Sequence, residues 1–151
     1  MLKRTFTAEK LNQVLNHPDV FPWVAMLGME RLDLSDIAED PQNVVLMNEH
    51  GGFIFVPRGD GYEVHSQFLP EGRGESLKAA KEAADYIFSK TDAQEITTFV
   101  PQGNDGATRL VLAMRFEHRG REGTWTYPNG QTVPVDSYVL TRERFVCQPQ
   151  H

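Results

Sequence analysis

The sequence predicts an α+β (α/β) fold: a mixed, mostly antiparallel central sheet with helices on both faces. Three observations carry this. Strand-like runs at 43–48, 52–57 and Tyr62–Leu69 follow one another through turn signals, Glu49-His50-Gly51-Gly52 and Arg58-Gly59-Asp60-Gly61. An alanine-rich helix-forming run, Glu75–Lys90, separates them from a further apolar run, Ile96–Val100. Thr124–Tyr127 and Thr132–Leu140 then flank Pro128-Asn129-Gly130, and Asn-Gly between β-rich runs is a strong hairpin signal. Strands grouped on either side of helices give a sheet with helices packed on it.

Taken in order, Thr7-Ala8-Glu9-Lys10 reads as a helix N-terminus with an acidic first turn, and Leu11, Val14 and Leu15 repeat at helical spacing. Asn16-His17-Pro18 ends that run, because the residue before proline avoids helical angles. Phe21, Trp23, Met26 and Leu27 form an apolar cluster suited to core packing. The acidic stretch 33–42, broken by Pro41, reads as a surface loop or short helix. Glu117–Glu122 reads as a charged loop or strand end, and Gln148–His151 as a polar tail.

At 151 residues the chain suits a single domain, 1–151, with a substantial core. Its net charge of −6 argues against a general nucleic-acid binder, which needs a basic surface, while leaving room for a local basic patch. No run has the length of a membrane span, and MLKRTFTAEK lacks the apolar core of a signal peptide. Cys147 stands alone, which excludes an internal disulfide and points to a cytoplasmic setting. His17, His50 and His118 show no metal-ligand spacing, so no metal is expected. The oligomeric state is left open.

The stretch with most chemical content joins the strand Tyr62–Leu69 to the helical run through Pro70-Glu71-Gly72-Arg73-Gly74. Strand, glycine loop, helix is a layout for holding phosphates. Small residues let the backbone approach an anion, and the first amides of the helix point unpaired N–H groups at it. The same pattern also serves as a plain strand-to-helix turn.

Beyond the loop, Asn104, Ala107, Leu110 and Phe116 make the segment resemble the acetyl-CoA-binding core of the GNAT N-acetyltransferase superfamily. The family's loop runs Arg or Gln, two residues, Gly, one residue, then Gly or Ala. Gly72 and Gly74 fit its small positions, and Leu69 stands where Arg or Gln is usual. Of the family's Asn-x-x-Ala-x-x-Leu-Tyr-x-x-x-Gly-Phe, this chain keeps Asn, Ala, Leu and Phe, with Val111 for the Tyr and Arg115 for the Gly. The resemblance implies coenzyme A as cofactor. Backbone groups of Phe68, Leu69 and Glu71 would meet the pantetheine, and Gly72, Arg73, Gly74, Glu75 and Ser76 the pyrophosphate. Asn104 would hydrogen-bond the pantetheine arm, and Arg73 either adds charge to the phosphates or points to solvent.

Acetyl transfer needs a group to take the amine's proton. The period of two along the strand puts Glu63, His65 and Gln67 on one face. Glu63 and His65 are therefore candidate bases, direct or through water, and equally candidates for a solvated strand face. The family's proton donor to the leaving thiolate is the Tyr replaced by Val111. Tyr86, Tyr127 or Tyr138 could substitute only if the fold brings one near the sulfur.

Two functions follow. One is an N-acetyltransferase that uses acetyl-CoA on an unidentified small-molecule or protein amine. The other is a non-catalytic phage virion or head-assembly protein that contacts other virion proteins. The second rests on Asn16-His17-Pro18-Asp19-Val20, the Leu-Pro-Glu-Gly-Arg-Gly loop and the Val-Pro-x-x-Asn turn, which together resemble a phage-encoded subgroup of GNAT-like proteins.

Overall fold

A computed structural model describes residues 1–147, so the tail at Gln148–His151 lies outside the described residues. The three expected N-terminal strands form and pair antiparallel in succession, as β2 (Val44–Asn48), β3 (Gly51–Arg58) and β4 (Gly61–Phe68). A strand that the sequence reading did not anticipate, β1 (Lys3–Thr5), pairs with Val45–Met47 at the sheet edge. Three residues, two of them basic, carry no readable alternation. β5 (Glu95–Pro101) lies parallel to β4, and β7 (Thr132–Thr141) and β6 (Glu117–Thr126) complete the order β1-β2-β3-β4-β5-β7-β6. The charged stretch 117–122, read from sequence as a loop or strand end, is thus the first half of a ten-residue strand. Its pairing with β7 slips between His118 and Gly120 and again between Arg121 and Thr124, and such bulges erase the period of two.

Helices cover both faces. On one lie α1 (Glu9–Leu15), α2 (Phe21–Val24) and α3 (Ser35–Glu39), whose Leu11, Val14, Leu15 and Ala38 pack on Val45, Met47 and Ile54. Ala8, not Thr7, stands at the N-cap of α1, without a side-chain cap. The apolar cluster expected after α1 stays out of the core: Phe21 and Met26 are half-buried, Trp23 is 44% exposed and Leu27 58% exposed, while the neighbouring Val20 and Ala25 are buried. Trp23 sets its ring against Tyr127, with centroids 5.8 Å apart.

On the other face lie α4 (Ser76–Lys90) and α5 (Asp105–Ala113). Ala79, Ala80, Ala83 and Ala84 let α4 approach the sheet closely, and Ile87 and Phe88 fill the space beyond them. Burying each of those two larger side chains stabilises the fold by about 2 kcal/mol. Arg142, which opens α6 (Arg142–Val146), ties down the end of α4. Its guanidinium donates to the carbonyls of Phe88, Thr91 and Ala93 at 2.6, 2.9 and 2.9 Å. No helix among the described residues is long and apolar enough to cross a membrane.

The end of α5 explains one departure from the family's pattern. Phe116 N–H donates to the Val111 carbonyl and Arg115 N–H to that of Leu112, both at 3.0 Å, which is a Schellman cap. Arg115 holds the left-handed position at φ 68°. The glycine expected there is a cap residue, so its loss touches helix geometry and not catalysis. Left-handed backbone costs an L-residue ~1–2 kcal/mol, partly offset by the extra freedom that glycine gives the unfolded chain. Arg115→Gly is therefore expected to stabilise the protein by about 1 kcal/mol, raising the urea midpoint with an unchanged slope. A lowered midpoint would show that the arginine side chain matters more than its backbone.

Candidate functional site

β4 and β5 pair over only two positions, Tyr62↔Ile96 and Glu63↔Thr97, and then diverge. The Thr98 hydroxyl bridges to the Val64 carbonyl at 2.9 Å where the gap begins. Backbone groups alternate along a strand. Since Leu69 N–H donates to the His50 carbonyl on the β3 side, those of Ser66 and Phe68 turn toward the gap. The gap opens into a cleft of about 560 Å³.

Two helix N-termini reach this cleft. The loop forms a 3₁₀ turn, Pro70–Glu75, that leads straight into α4, where Ser76 and Leu77 line the wall. Across from it, α5 starts at Asn104, whose side-chain oxygen accepts from Ala107 N–H at 3.2 Å. This cap occupies the carbonyl end of the amide and leaves the NH₂ end for a ligand. Helix N-termini carry partial positive charge and unpaired N–H groups.

Of the residues expected to bind cofactor, Phe68, Arg73, Ser76 and Asn104 line the cleft. Leu69, Glu71, Gly72, Gly74 and Glu75 do not. Leu69 N–H is held by His50, and Gly72 N–H by the Leu69 carbonyl at 2.9 Å, so neither is free for pantetheine or phosphate. The two glycines have different reasons to be small. A Cβ on Gly72 would lie 2.4 Å from His50 Cβ, so Gly72 is required by packing inside the protein. A Cβ on Gly74 would meet nothing within 4 Å, leaving open space beside the helix start. Arg73 donates to the Asp19 carbonyl at 2.8 Å, tying the loop to the segment before α2, whose Trp23 and Val24 also line the cleft.

Glu63 and His65 project from the opposite side of β4 to α4, the side covered by α1 and α2, and do not line the cleft. They form a pair: His65 Nε2 lies 2.7 Å from Glu63 Oε2, and Arg58 approaches the other oxygen at 3.4 Å. The bond from His65 is the main cause holding the Glu63 carboxyl below its ordinary value of 4.5, against the opposing effect of burial. An ionised carboxylate only accepts, so Nε2 carries the proton of this bond and Nδ1 is the nitrogen left outside it. A half-exposed imidazole oriented by a carboxylate is suited to take a proton.

None of the three tyrosines considered as proton donors lines the cleft. Tyr127 donates to the Gln102 carbonyl at 3.1 Å, Tyr138 packs beside the His118 ring, and Tyr86 lines a recess with Lys90. Burial raises the pKa of both Tyr127 and Tyr138. Val111 is buried and borders a small void of about 50 Å³ with Val64, Ser66 and Thr98. Ser66 borders both this void and the cleft.

No protein-family model and no curated protein sequence matches the chain. Solved structures do. Spermidine N-acetyltransferase from Vibrio cholerae, in complex with CoA and spermine, superposes with a TM-score of 0.79 at 16% identity, over 97% of each chain. Ribosomal-protein-S5-alanine acetyltransferase from Vibrio fischeri gives 0.74 at 14% identity, over 98% of this chain and 94% of that one. The fold is that of the GNAT acetyltransferases.

Sequence reading missed Ser66, Gly106 and Arg109 as cleft residues. The last two follow the Asn104 cap on a helix known only through the family pattern. Ser66 sits on the strand face opposite to the one searched for bases.

The ion pair gives a titration test. A carboxyl held below its unfolded value stabilises the fold above that value and loses the contribution as pH falls through the folded one. Glu63 is expected to titrate below 4.5 by carboxyl-detected NMR and to move up toward it in His65→Ala. An unmoved Glu63 in that variant would show that the histidine does not orient it.

Proposed function

We propose that this chain is an acetyl-CoA-dependent N-acetyltransferase acting on a small-molecule or protein amine. The observation that carries the reading is the divergence of β4 from β5 into a cleft reached by two helix N-termini and Arg73, with the Glu63–His65 pair on the other side of β4. The residues present suit coenzyme A: backbone groups of Ser66 and Phe68 for pantetheine, the Asn104 amide beside them, and the start of α4 with Arg73 for the diphosphate. When bound, acetyl-CoA supplies an activated acyl group as a thioester.

The chain's own part is to align and to move a proton. His65, held by Glu63, accepts the proton of the acceptor amine as the nitrogen forms its bond to the acyl carbon. With acetyl-CoA bound, forming the amide would release the coenzyme A thiolate, and with Val111 in place of a phenol its proton would come from water. A thiol of pKa about 8.5 is a good enough leaving group for that, so the substitution slows the reaction without abolishing it.

Two departures from the family's pattern, Val111 and Arg115, favour the alternative, a virion or head-assembly protein. Arg115 is accounted for by the helix cap. Val111 is compatible with the proposed reaction on the premise that solvent supplies the thiolate's proton. The solved structures that resemble the chain and are named above are acetyltransferases.

Two experiments test the reading. Calorimetry with coenzyme A should show binding to the wild type and about tenfold or greater weakening in Gly74→Val, whose side chain fills the open space at the helix start. Equal affinities would remove the loop from the site, and no binding by the wild type would end the cofactor assignment. Release of free thiol from acetyl-CoA should depend on an added amine from a broad panel. His65→Ala should reduce it about 10²-fold with coenzyme A affinity kept, while Val111→Tyr, with its ring in the neighbouring void, should raise it. Silence across the panel from both wild type and Val111→Tyr would favour the non-catalytic alternative.

A further inference from the structure

The cleft is lined by two arginines from different elements, Arg73 in the loop before α4 and Arg109 on α5, and by one carboxylate, Asp105. Their situations differ. Arg73 is fastened to the Asp19 carbonyl at the mouth of α4, whose first turn contains no acidic residue. That end of the cleft is the one suited to the diphosphate. Arg109 is exposed, and no described ion pair includes it. Asp105 lies four residues earlier on the same helix, the spacing at which opposite charges normally meet, yet the two do not pair within 4.0 Å. A cation that leaves its nearest helical partner and lines a cleft is available to an anion.

Gly106 supplies an independent observation. It sits in the first turn of α5 without a positive φ, and a Cβ there would meet nothing within 4 Å. Neither backbone conformation nor packing inside the protein calls for glycine. Glycine within a helix is less favourable than alanine. The space it keeps open faces the cleft, one turn from Arg109.

We propose that Arg109, beside the open backbone at Gly106, binds the 3′-phosphate of coenzyme A and so makes the chain select coenzyme A over its dephospho form. The inference rests on the coenzyme A reading above and adds a residue and a specificity to it. Coenzyme A carries a diphosphate and a separate phosphomonoester, and the monoester bears close to two charges near neutral pH. With the helix N-terminus and Arg73 at the diphosphate, the remaining charge calls for a second cation. A guanidinium meets a phosphate through two parallel N–H···O bonds.

The test is calorimetric affinity for coenzyme A and for dephospho-coenzyme A in wild type, Arg109→Gln and Arg109→Lys. The wild type should prefer coenzyme A by about tenfold, the scale of one exposed charge-assisted contact. Arg109→Gln should lose that preference through weaker binding of coenzyme A alone. Arg109→Lys should keep part of it, since the charge remains and the two-point geometry does not. Unchanged affinity for dephospho-coenzyme A doubles as evidence that the Gln variant is folded. If Arg109→Gln weakens both forms alike, or retains the wild-type preference, the assignment of Arg109 is overturned while the cofactor reading stands. If the wild type binds neither form, both fall together.

Discussion

The two-residue length of the β4–β5 pairing is the constraint on which the rest of the structure depends. Parallel neighbours normally continue to bond, and here the ladder stops after Glu63↔Thr97. The Thr98 hydroxyl takes up the Val64 carbonyl in place of the next rung. Beyond it the backbone groups of Ser66 and Phe68 lack a strand partner, and unpaired backbone groups call for water or a ligand. The same divergence makes room for the starts of α4 and α5 to reach one cleft. A sheet paired along its full length would have no opening for them.

Helix α5 shows how a family pattern can be altered without altering the fold. At Arg115 the altered residue keeps the left-handed backbone that the cap requires, so the Schellman bonds form and Phe116 stays in the core. At Val111 the altered residue is equally buried, and what changes is the void of about 50 Å³ beside it. The first is a matter of backbone conformation and the second of packing. Only the second borders the void that shares Ser66 with the cleft.

Much of the architecture was legible in the sequence. Turn chemistry at Arg58–Gly61 and Asn129-Gly130 fixed two hairpins, and the alanine-rich face of α4 announced its packing. The missed parts lack such signals: β1 is three residues long, the first half of β6 is bulged, and α6 follows β7 with no break in the chain. Legibility of the site was uneven for a physical reason. Glycine in sequence does not reveal whether packing inside the protein requires it, and of Gly72 and Gly74, two residues apart, only the first is so required. Likewise, alternation placed Glu63 and His65 on one face of β4 without showing that they bond to each other. Arg109 was unreadable because the sequence does not show that it stands apart from Asp105, four residues earlier on its own helix.

Charge sets the terms on which such a cleft can work. The chain has a net charge of −6, so its long-range field repels a polyanion and attracts a cationic amine. On the proposed reading the two reactants therefore meet the protein under opposite conditions. The acceptor is drawn to the face that carries Glu63 with Glu122 nearby, both approached by the same Arg58. The cofactor would be held only where local positive features override the overall field: the starts of α4 and α5, Arg73 and Arg109. Added salt screens the unfavourable long-range repulsion and the favourable exposed contacts together. What survives screening is the geometric part, the backbone groups of a strand pair that stops after two residues. On that reading the splay of β4 and β5 would position the cofactor, and the arginines would set how strongly, and in which form, it is held.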